Sequence, residues 1–176
     1  MNKALQEFSS NLDIAKLILI GEDHNSNGTR RIMHKNAKSI VQLLQELDKR
    51  IYFGFEHVDE NKTAEQILKN LANQKDYTLL EIAVMTLEKE GQIFSFGGKN
   101  YHKIIKSILS GLDENSVCAS LMGMNHLKTS VGLPGYLGNN DGIVMVEQVI
   151  DPNMPIITRK PDYQGIKTYV LHGEIS

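Results

Sequence analysis

Residues 16–21 read Lys-Leu-Ile-Leu-Ile-Gly, a short apolar run that ends in glycine. An unbroken run of this kind is typical of a strand whose two faces are both buried in a sheet. Beyond a polar turn, apolar residues recur at helical spacing over about residues 29–49, and a second apolar run follows at Ile51-Tyr-Phe-Gly-Phe-Glu56. A strand, a helix and a strand joined by short links predict a βαβ unit with parallel strands and a right-handed crossover.

The rest of the chain continues this alternation of helical and strand patterns. The spacing of apolar residues predicts helices over 63–71 (with Asn61 as the N-cap), 79–90 and 102–109, and strands over 92–96, 117–123, 142–150 and 168–172. Clustered glycines predict a mobile loop over about 132–142, and the three prolines between 152 and 161 predict an irregular connection. Together these patterns predict a single α/β domain over residues 1–176, with a mostly parallel central sheet flanked by helices.

Composition narrows the class of protein. The chain has 176 residues, and its 19 basic and 21 acidic side chains leave a net charge of −2, so no basic surface for nucleic acid is expected. Cys118 is the single cysteine, which excludes an intramolecular disulfide, and its apolar surroundings predict a buried structural thiol. Neither a signal-peptide apolar core nor a membrane-spanning run of about 20 apolar residues is present, which predicts a cytoplasmic protein and leaves the oligomeric state open.

Ionisable side chains follow three of the predicted strands at the point where each strand ends. The segments are Gly21-Glu-Asp-His24, Phe55-Glu-His57 and Gly123-Met-Asn-His126. Because the carboxyl ends of parallel strands meet at one edge of the sheet, loops from separate strands converge there. The sequence therefore predicts one cleft that contains four side chains: Glu22, His24, Glu56 and His126.

Two carboxylates facing two imidazoles can support two kinds of chemistry. A carboxylate favours the charged form of a nearby imidazole and fixes its tautomer, and a carboxyl group close to another carboxylate is suited to general acid or base work. Imidazole nitrogens and carboxylate oxygens are also good ligands for a divalent metal that keeps one position for water. The residues alone leave both uses open.

Three segments carry a family resemblance. Leu19-Ile-Gly-Glu-Asp-His24, Phe55-Glu56 and Met122-Gly-Met-Asn-His-Leu127 resemble the three signature blocks of the erythromycin-esterase/ChaN-like superfamily, also called Tiki-like or TraB-like. That superfamily includes Tiki proteases, macrolide esterases, haem-binding lipoproteins and a protease domain of large bacterial toxins. The resemblance implies an α/β fold and a pocket lined by the four strand-end residues. It leaves the use of a metal open, since members differ, and the chain lacks the lipidation cysteine of the haem-binding lipoproteins.

The first functional hypothesis is therefore a hydrolase that cleaves an ester or amide bond in a small-molecule or peptide substrate. His24 is the predicted general base and Glu22 orients it, while Glu56 acts as a second acid or base, and His126 stabilises the developing oxyanion. In a metal-dependent version these same four residues hold the divalent cation. Asp23, His57 and Lys128 are predicted to contact the substrate, and the glycine-rich loop is predicted to act as a flap.

The alternatives are less specific. The same pocket could bind haem, a metal ion or another small ligand without catalysis, or the fold could act through protein partners. His57 is expected to point to the other side of the strand exit from Glu56. Three histidines are predicted to be ordinary core or surface residues: His34, His102 and His172.

Overall fold

A seven-stranded sheet forms the centre of the structure, a computed structural model that describes residues 2–24, 28–74, 77–128 and 132–176. The strands are β1 (Leu17–Glu22), β2 (Arg50–Asp59), β3 (Gln92–Gly97), β4 (Ser116–Gly123), β5 (Ile143–Gln148), β6 (Ile157–Arg159) and β7 (Lys167–Leu171). They lie in the order β3-β2-β4-β1-β5-β7-β6, and every neighbouring pair is parallel except β6 and β7. The predicted α/β fold with a mostly parallel sheet is confirmed.

Strand β1 lies in the middle of this sheet, and all six of its residues are buried. Its side chains alternate between two cores: Ile18 and Ile20 belong to one, Leu17 and Leu19 to the other. We call the side of the sheet that carries Ile18 and Ile20 the first face, and the opposite side the second face. Helices cover both faces, which explains why the run has no polar positions.

Six α-helices and one 3₁₀ turn accompany the sheet in the described part of the chain. They are α1 (Lys3–Ile14), α2 (Arg30–Glu46), α3 (Ala64–Asn73), α4 (Tyr77–Glu88), α5 (Tyr101–Ser110), the 3₁₀ turn Met124–Leu127 and α6 (Leu133–Leu137). Buried side chains of α1 to α4 join the core of the first face, and those of α5, α6 and the 3₁₀ turn join the core of the second. None of these helices is long and apolar enough to cross a membrane.

The predicted βαβ unit is present with one strand inserted. Strands β1 and β2 are parallel and α2 connects them, but β4 lies between them and pairs with both. Cys118 lies on β4 and is fully buried, and burial raises the pKa of its thiol, in line with an unreactive structural role.

Several local predictions need correction. Thr63, not Asn61, caps α3, because its side chain accepts a hydrogen bond from the backbone of Gln66 while Gln66 bonds back to the backbone of Thr63. The segment predicted as a loop over 132–142 contains α6, which tolerates Pro134 in its first turn and ends at Gly138 in the left-handed conformation. Helix α1 was not predicted, and the proline-rich connection contains β6, a three-residue edge strand too short to show a pattern.

Candidate functional site

Two carboxylates flank one glycine at the carboxyl edge of the sheet. Glu22, the last residue of β1, pairs in register with Gly123, the last residue of β4. On the other side of β4, Glu56 follows Phe55, the last β2 residue that pairs with β4. At this edge Glu22 of β1, Gly123 of β4 and Glu56 of β2 therefore lie in a row across three adjacent strands.

The two carboxylates point to opposite faces of the sheet. Glu22 is in phase with Ile20, so its side chain lies on the first face. Phe55 also points to the first face, so Glu56 points to the second. His24 lies just beyond the end of β1, where a side chain can reach both faces.

Glu22 lies on the side of the site that is closed to solvent, which we call the closed side. Its carboxylate is fully buried, and Nε2 of His34 donates to Oε2 over 2.6 Å, while Nε2 of His57 bonds Oε1. The Nε atom of Arg30 lies 3.8 Å from Oε2. Burial by itself raises the pKa of the Glu22 carboxyl, but the hydrogen bonds and charges of His34 and His57 outweigh it and hold the pKa well below its usual range. Glu22 is therefore an ionised carboxylate at neutral pH.

Glu56 lies on the side of the site that solvent can reach, which we call the open side. The backbone N–H of Gly123 donates to its Oε2 over 2.6 Å, and Nε2 of His126 donates to Oε1 over 2.8 Å. The side chains of Glu56 and His126 are 21% and 31% exposed, so both can meet a ligand. Burial and the charge of Glu56 raise the pKa of the neighbouring Tyr101 hydroxyl, which stays neutral.

His24 connects the two sides. Its Nδ1 lies 3.2 Å from Oε1 of Glu22 and its Nε2 lies 3.5 Å from Oε2 of Glu56. The imidazole is 46% exposed, more than either carboxylate. Gly123 makes this position available, because a Cβ atom on that residue would lie only 2.8 Å from Nε2 of His24.

The structure therefore brings the four residues expected from the strand ends into one cluster. Glu22, His24, Glu56 and His126 are linked by direct contacts, although their chemical roles stay predictions. Asp23 and Lys128 are exposed and lie next in the chain to Glu22 and to the 3₁₀ turn, respectively. Their predicted contacts with a substrate remain predictions.

Two further histidines belong to the cluster. His57 points away from Glu56, as expected, and bonds Glu22 on the first face, so it lies in the site, while its predicted contact with a substrate stays a prediction. His34 was expected to be an ordinary residue, yet its buried ring donates to Glu22. Its position in the first two turns of α2, the helix after β1, was an available signal, since the N-terminus of such a helix faces the carboxyl edge of the sheet.

The other two histidines that were predicted to be ordinary residues differ in how close they lie to the cluster. His102 is a neighbour of it, because its ring stacks on that of Tyr101, which in turn contacts His126. His172 is bonded to the carbonyl of Val149 and to Thr158, away from both carboxylates, and behaves as the structural residue that was expected.

One group of residues has the spacing of a metal site. Glu22, His34 and His57 each offer a ligand atom, and these atoms lie within 4.8 Å of one another. This set shares only Glu22 with the four ligands expected from the sequence. Two nitrogens and one oxygen suit zinc and similar cations. In the described part of the chain the buried Nδ1 of His57 has no hydrogen-bond partner, so no such bond holds the ring of this candidate ligand from its other nitrogen.

Comparisons with known proteins support the fold alone. No protein-family model matches the chain, and no curated protein does. A solved structure of bacterial protein toxins is similar with a TM-score of 0.50 and 17% identity, over 84% of this chain and 37% of that one. RRSP, a MARTX toxin effector domain from Vibrio vulnificus CMCP6, aligns with a TM-score of 0.49 and 17% identity, over 84% of this chain and 36% of that one. This chain thus spans about a third of the length of these structures, and what it shares with the first of them is an α/β fold.

Proposed function

We propose that this chain is a hydrolase that cleaves an ester or amide bond in a small-molecule or peptide substrate. The observation that carries the proposal is the position of His24. One nitrogen of its half-exposed ring faces a buried, ionised carboxylate, and the other faces an accessible carboxylate that also holds His126. An oriented imidazole open to solvent is the arrangement that general base catalysis needs.

The contacts assign a role to each side chain in this proposal. Glu22 is held in place by His34 and His57, so it can accept the Nδ1–H of His24 and leave the lone pair of Nε2 available. Nε2 removes a proton from water as the water oxygen adds to the carbonyl carbon. The same proton then passes to the leaving oxygen or nitrogen as the ester or amide bond breaks.

The open side of the site completes the reaction. His126 is half-buried and bonded to Glu56, so it can supply a hydrogen bond where the carbonyl oxygen becomes negative. Glu56 lies 3.5 Å from Nε2 of His24, close enough to orient the attacking water or to relay its proton.

The sequence motifs support the same proposal. The three segments that resemble the erythromycin-esterase/ChaN-like superfamily lie far apart in the chain, and their ionisable residues converge on one cluster. Membership of that superfamily and a cytoplasmic location are parts of the proposal.

A screen of p-nitrophenyl esters and of a peptide library tests this function. We expect turnover in the wild type and a loss of about 100-fold in His24→Ala and His126→Ala, with unchanged circular dichroism. His172→Gln is the matched control, because it removes an imidazole outside the cluster and should leave turnover per folded molecule unchanged. Undiminished turnover in both alanine variants would eliminate the proposed roles.

Metal binding is a second candidate function, favoured by the spacing of Glu22, His34 and His57. These residues would hold the cation, which would supply a Lewis acid next to His24. Calorimetric titration with Zn²⁺ should then show one equivalent bound with release of protons, and His34→Ala should abolish it. Hydrolysis that survives a chelator, in a protein that takes up no Zn²⁺, would leave the metal-free hydrolase as the function.

A further inference from the structure

A series of ring-to-ring contacts leads from the open side of the site to α6. The ring centroids of His126 and Tyr101 lie 4.4 Å apart, those of Tyr101 and His102 3.7 Å, and those of His102 and Tyr136 4.8 Å. We call these four residues the ring stack. Tyr136 belongs to α6, and Nζ of Lys106 lies 5.6 Å from the centroid of its ring.

We infer that the ring stack positions His126 against Glu56, so that Tyr101 is a positioning residue and α6 influences the site through it. The catalytic part of this inference rests on the proposed hydrolase function. The positioning itself is a property of the fold and can be measured separately.

His126 needs such support. It lies in a four-residue 3₁₀ turn, is 31% exposed, and its ring makes one hydrogen bond, to Glu56, among the described contacts. A single hydrogen bond at one ring nitrogen fixes the position of that atom but not the orientation of the imidazole plane. Tyr101 supplies a second contact against the ring, and it is anchored on α5, whose Ile105 is fully buried in the second-face core.

The charges of the stack favour this role. Burial and the nearby His126 lower the pKa of His102, which favours the uncharged form of its imidazole. Tyr101 is also neutral. The rings of Tyr101 and His102 are therefore suited to contact His126 without adding a charge beside Glu56.

Helix α6 also touches the backbone of His126. The N–H of Gly132, just before α6, donates to the carbonyl of Lys128 over 2.7 Å. A Cβ atom on Gly132 would lie 2.3 Å from the carbonyl oxygen of His126, so the two backbones are in direct contact. Both ends of α6 are thus connected to His126, one through the backbone and the other through Tyr136 and the stack.

The first test separates the ring of Tyr101 from its hydroxyl. Tyr101→Phe retains the ring, and its kcat should stay within about twofold of the wild type, whereas Tyr101→Leu should lower kcat by about tenfold with little change in KM, because His126 is misplaced rather than lost. If the hydroxyl of Tyr101 were the group that matters, phenylalanine would not maintain kcat. Equal kcat in the leucine variant and the wild type would overturn the catalytic part of the inference.

The second test does not depend on activity. In protein with isotope-labelled histidine, Tyr136→Ala should shift or broaden the ring signals of His126, although the rings of His102 and Tyr101 lie between them. Tyr163→Ala is the matched control, since the two tyrosines are 46% and 44% exposed and Tyr163 lies outside the stack. His126 signals in Tyr136→Ala that stay as unchanged as in the Tyr163→Ala control would overturn the inference that α6 acts on His126 through the stack. If the wild type hydrolyses nothing, the proposed function fails, and this experiment still decides whether the stack positions His126.

Discussion

A glutamate lies on each side of His24, and the two glutamates have different surroundings. On the first face, Glu22 is fully buried and shares its oxygens with His34, which is also buried, and with His57, whose side chain is 4% exposed. On the second face, Glu56 is partly exposed and binds a backbone amide and one accessible histidine. The difference arises from strand alternation, because Glu22 on β1 and Glu56 on β2, the strands on either side of β4, point to opposite faces of the sheet.

The two carboxylates of the cluster are therefore suited to different roles, one in the stability of the fold and the other in the reaction. A buried carboxylate that is fully paired cannot take up a proton without leaving two imidazoles unsatisfied, so Glu22 is suited to holding His24 in a fixed orientation. A partly exposed carboxylate can exchange protons with solvent and substrate at lower cost, so Glu56 is suited to the reaction. Substitution of Glu22 should therefore change mainly the free energy of unfolding, and substitution of Glu56 should change mainly kcat.

Glu22→Gln should produce the largest effect on folding. The neutral amide leaves His34 and His57 without their common charged partner inside the protein, and we expect a loss of about 3 kcal/mol or more in the free energy of unfolding. Urea denaturation measures it. Glu81→Gln is the control, since it removes an exposed carboxylate paired with Lys38 and should cost less than about 1 kcal/mol. A loss in Glu22→Gln as small as in the control would mean that the closed side is not a stabilising network.

The same carboxylate should govern stability in acid. The folded-state pKa of Glu22 is lowered relative to the unfolded chain, so its contribution is fully present above the unfolded pKa and is lost as the pH falls. Between about pH 5 and pH 2 the histidines of the unfolded chain stay charged, which leaves the carboxyl groups as the groups that titrate. We expect the wild type to lose stability more steeply than Glu22→Gln over this range, in thermal unfolding followed by circular dichroism. Parallel curves would contradict the prediction.

Local sequence pattern was sufficient for the strands that carry the site. The continuous apolar runs of β1 and β4 predicted buried parallel strands, and the ionisable residues directly after them predicted the cluster. The order of the strands, and the face of the sheet to which each side chain points, were harder to predict from the sequence. Both depend on contacts between segments that are distant in the chain. Nothing in the local pattern places β4 between β1 and β2, so the sequence did not show that Glu22 and His57 share a face while Glu56 does not.

Glu56→Gln tests the open side. The amide keeps the shape of the side chain but cannot carry the charge that holds His126, so we expect a fall of about 100-fold in kcat, equivalent to about 2.7 kcal/mol of activation free energy. Unfolding free energy should change by less than about 1 kcal/mol, because the group is partly exposed. The reverse result, with stability lost and turnover kept, would exchange the roles of the two carboxylates.

Gly123→Ala probes the residue between the two carboxylates and should have the smallest effect. The backbone of Gly123 has a φ of −57° and a ψ of 141°, which alanine adopts without strain, so the new methyl group acts only through its contacts. It would lie 2.8 Å from Nε2 of His24 but 3.7 Å from Oε2 of Glu56, so it displaces the histidine and leaves the carboxylate in place.

We expect this displacement to lower kcat by about tenfold with little change in melting temperature. Gly111→Ala is the matched control, because the Cβ there would meet its nearest neighbour at an ordinary 3.7 Å. If kcat is the same in both glycine variants, contact of His24 with the Glu56 side is not needed for turnover. The general base would then have to work from the Glu22 side alone, and the open carboxylate would serve only His126.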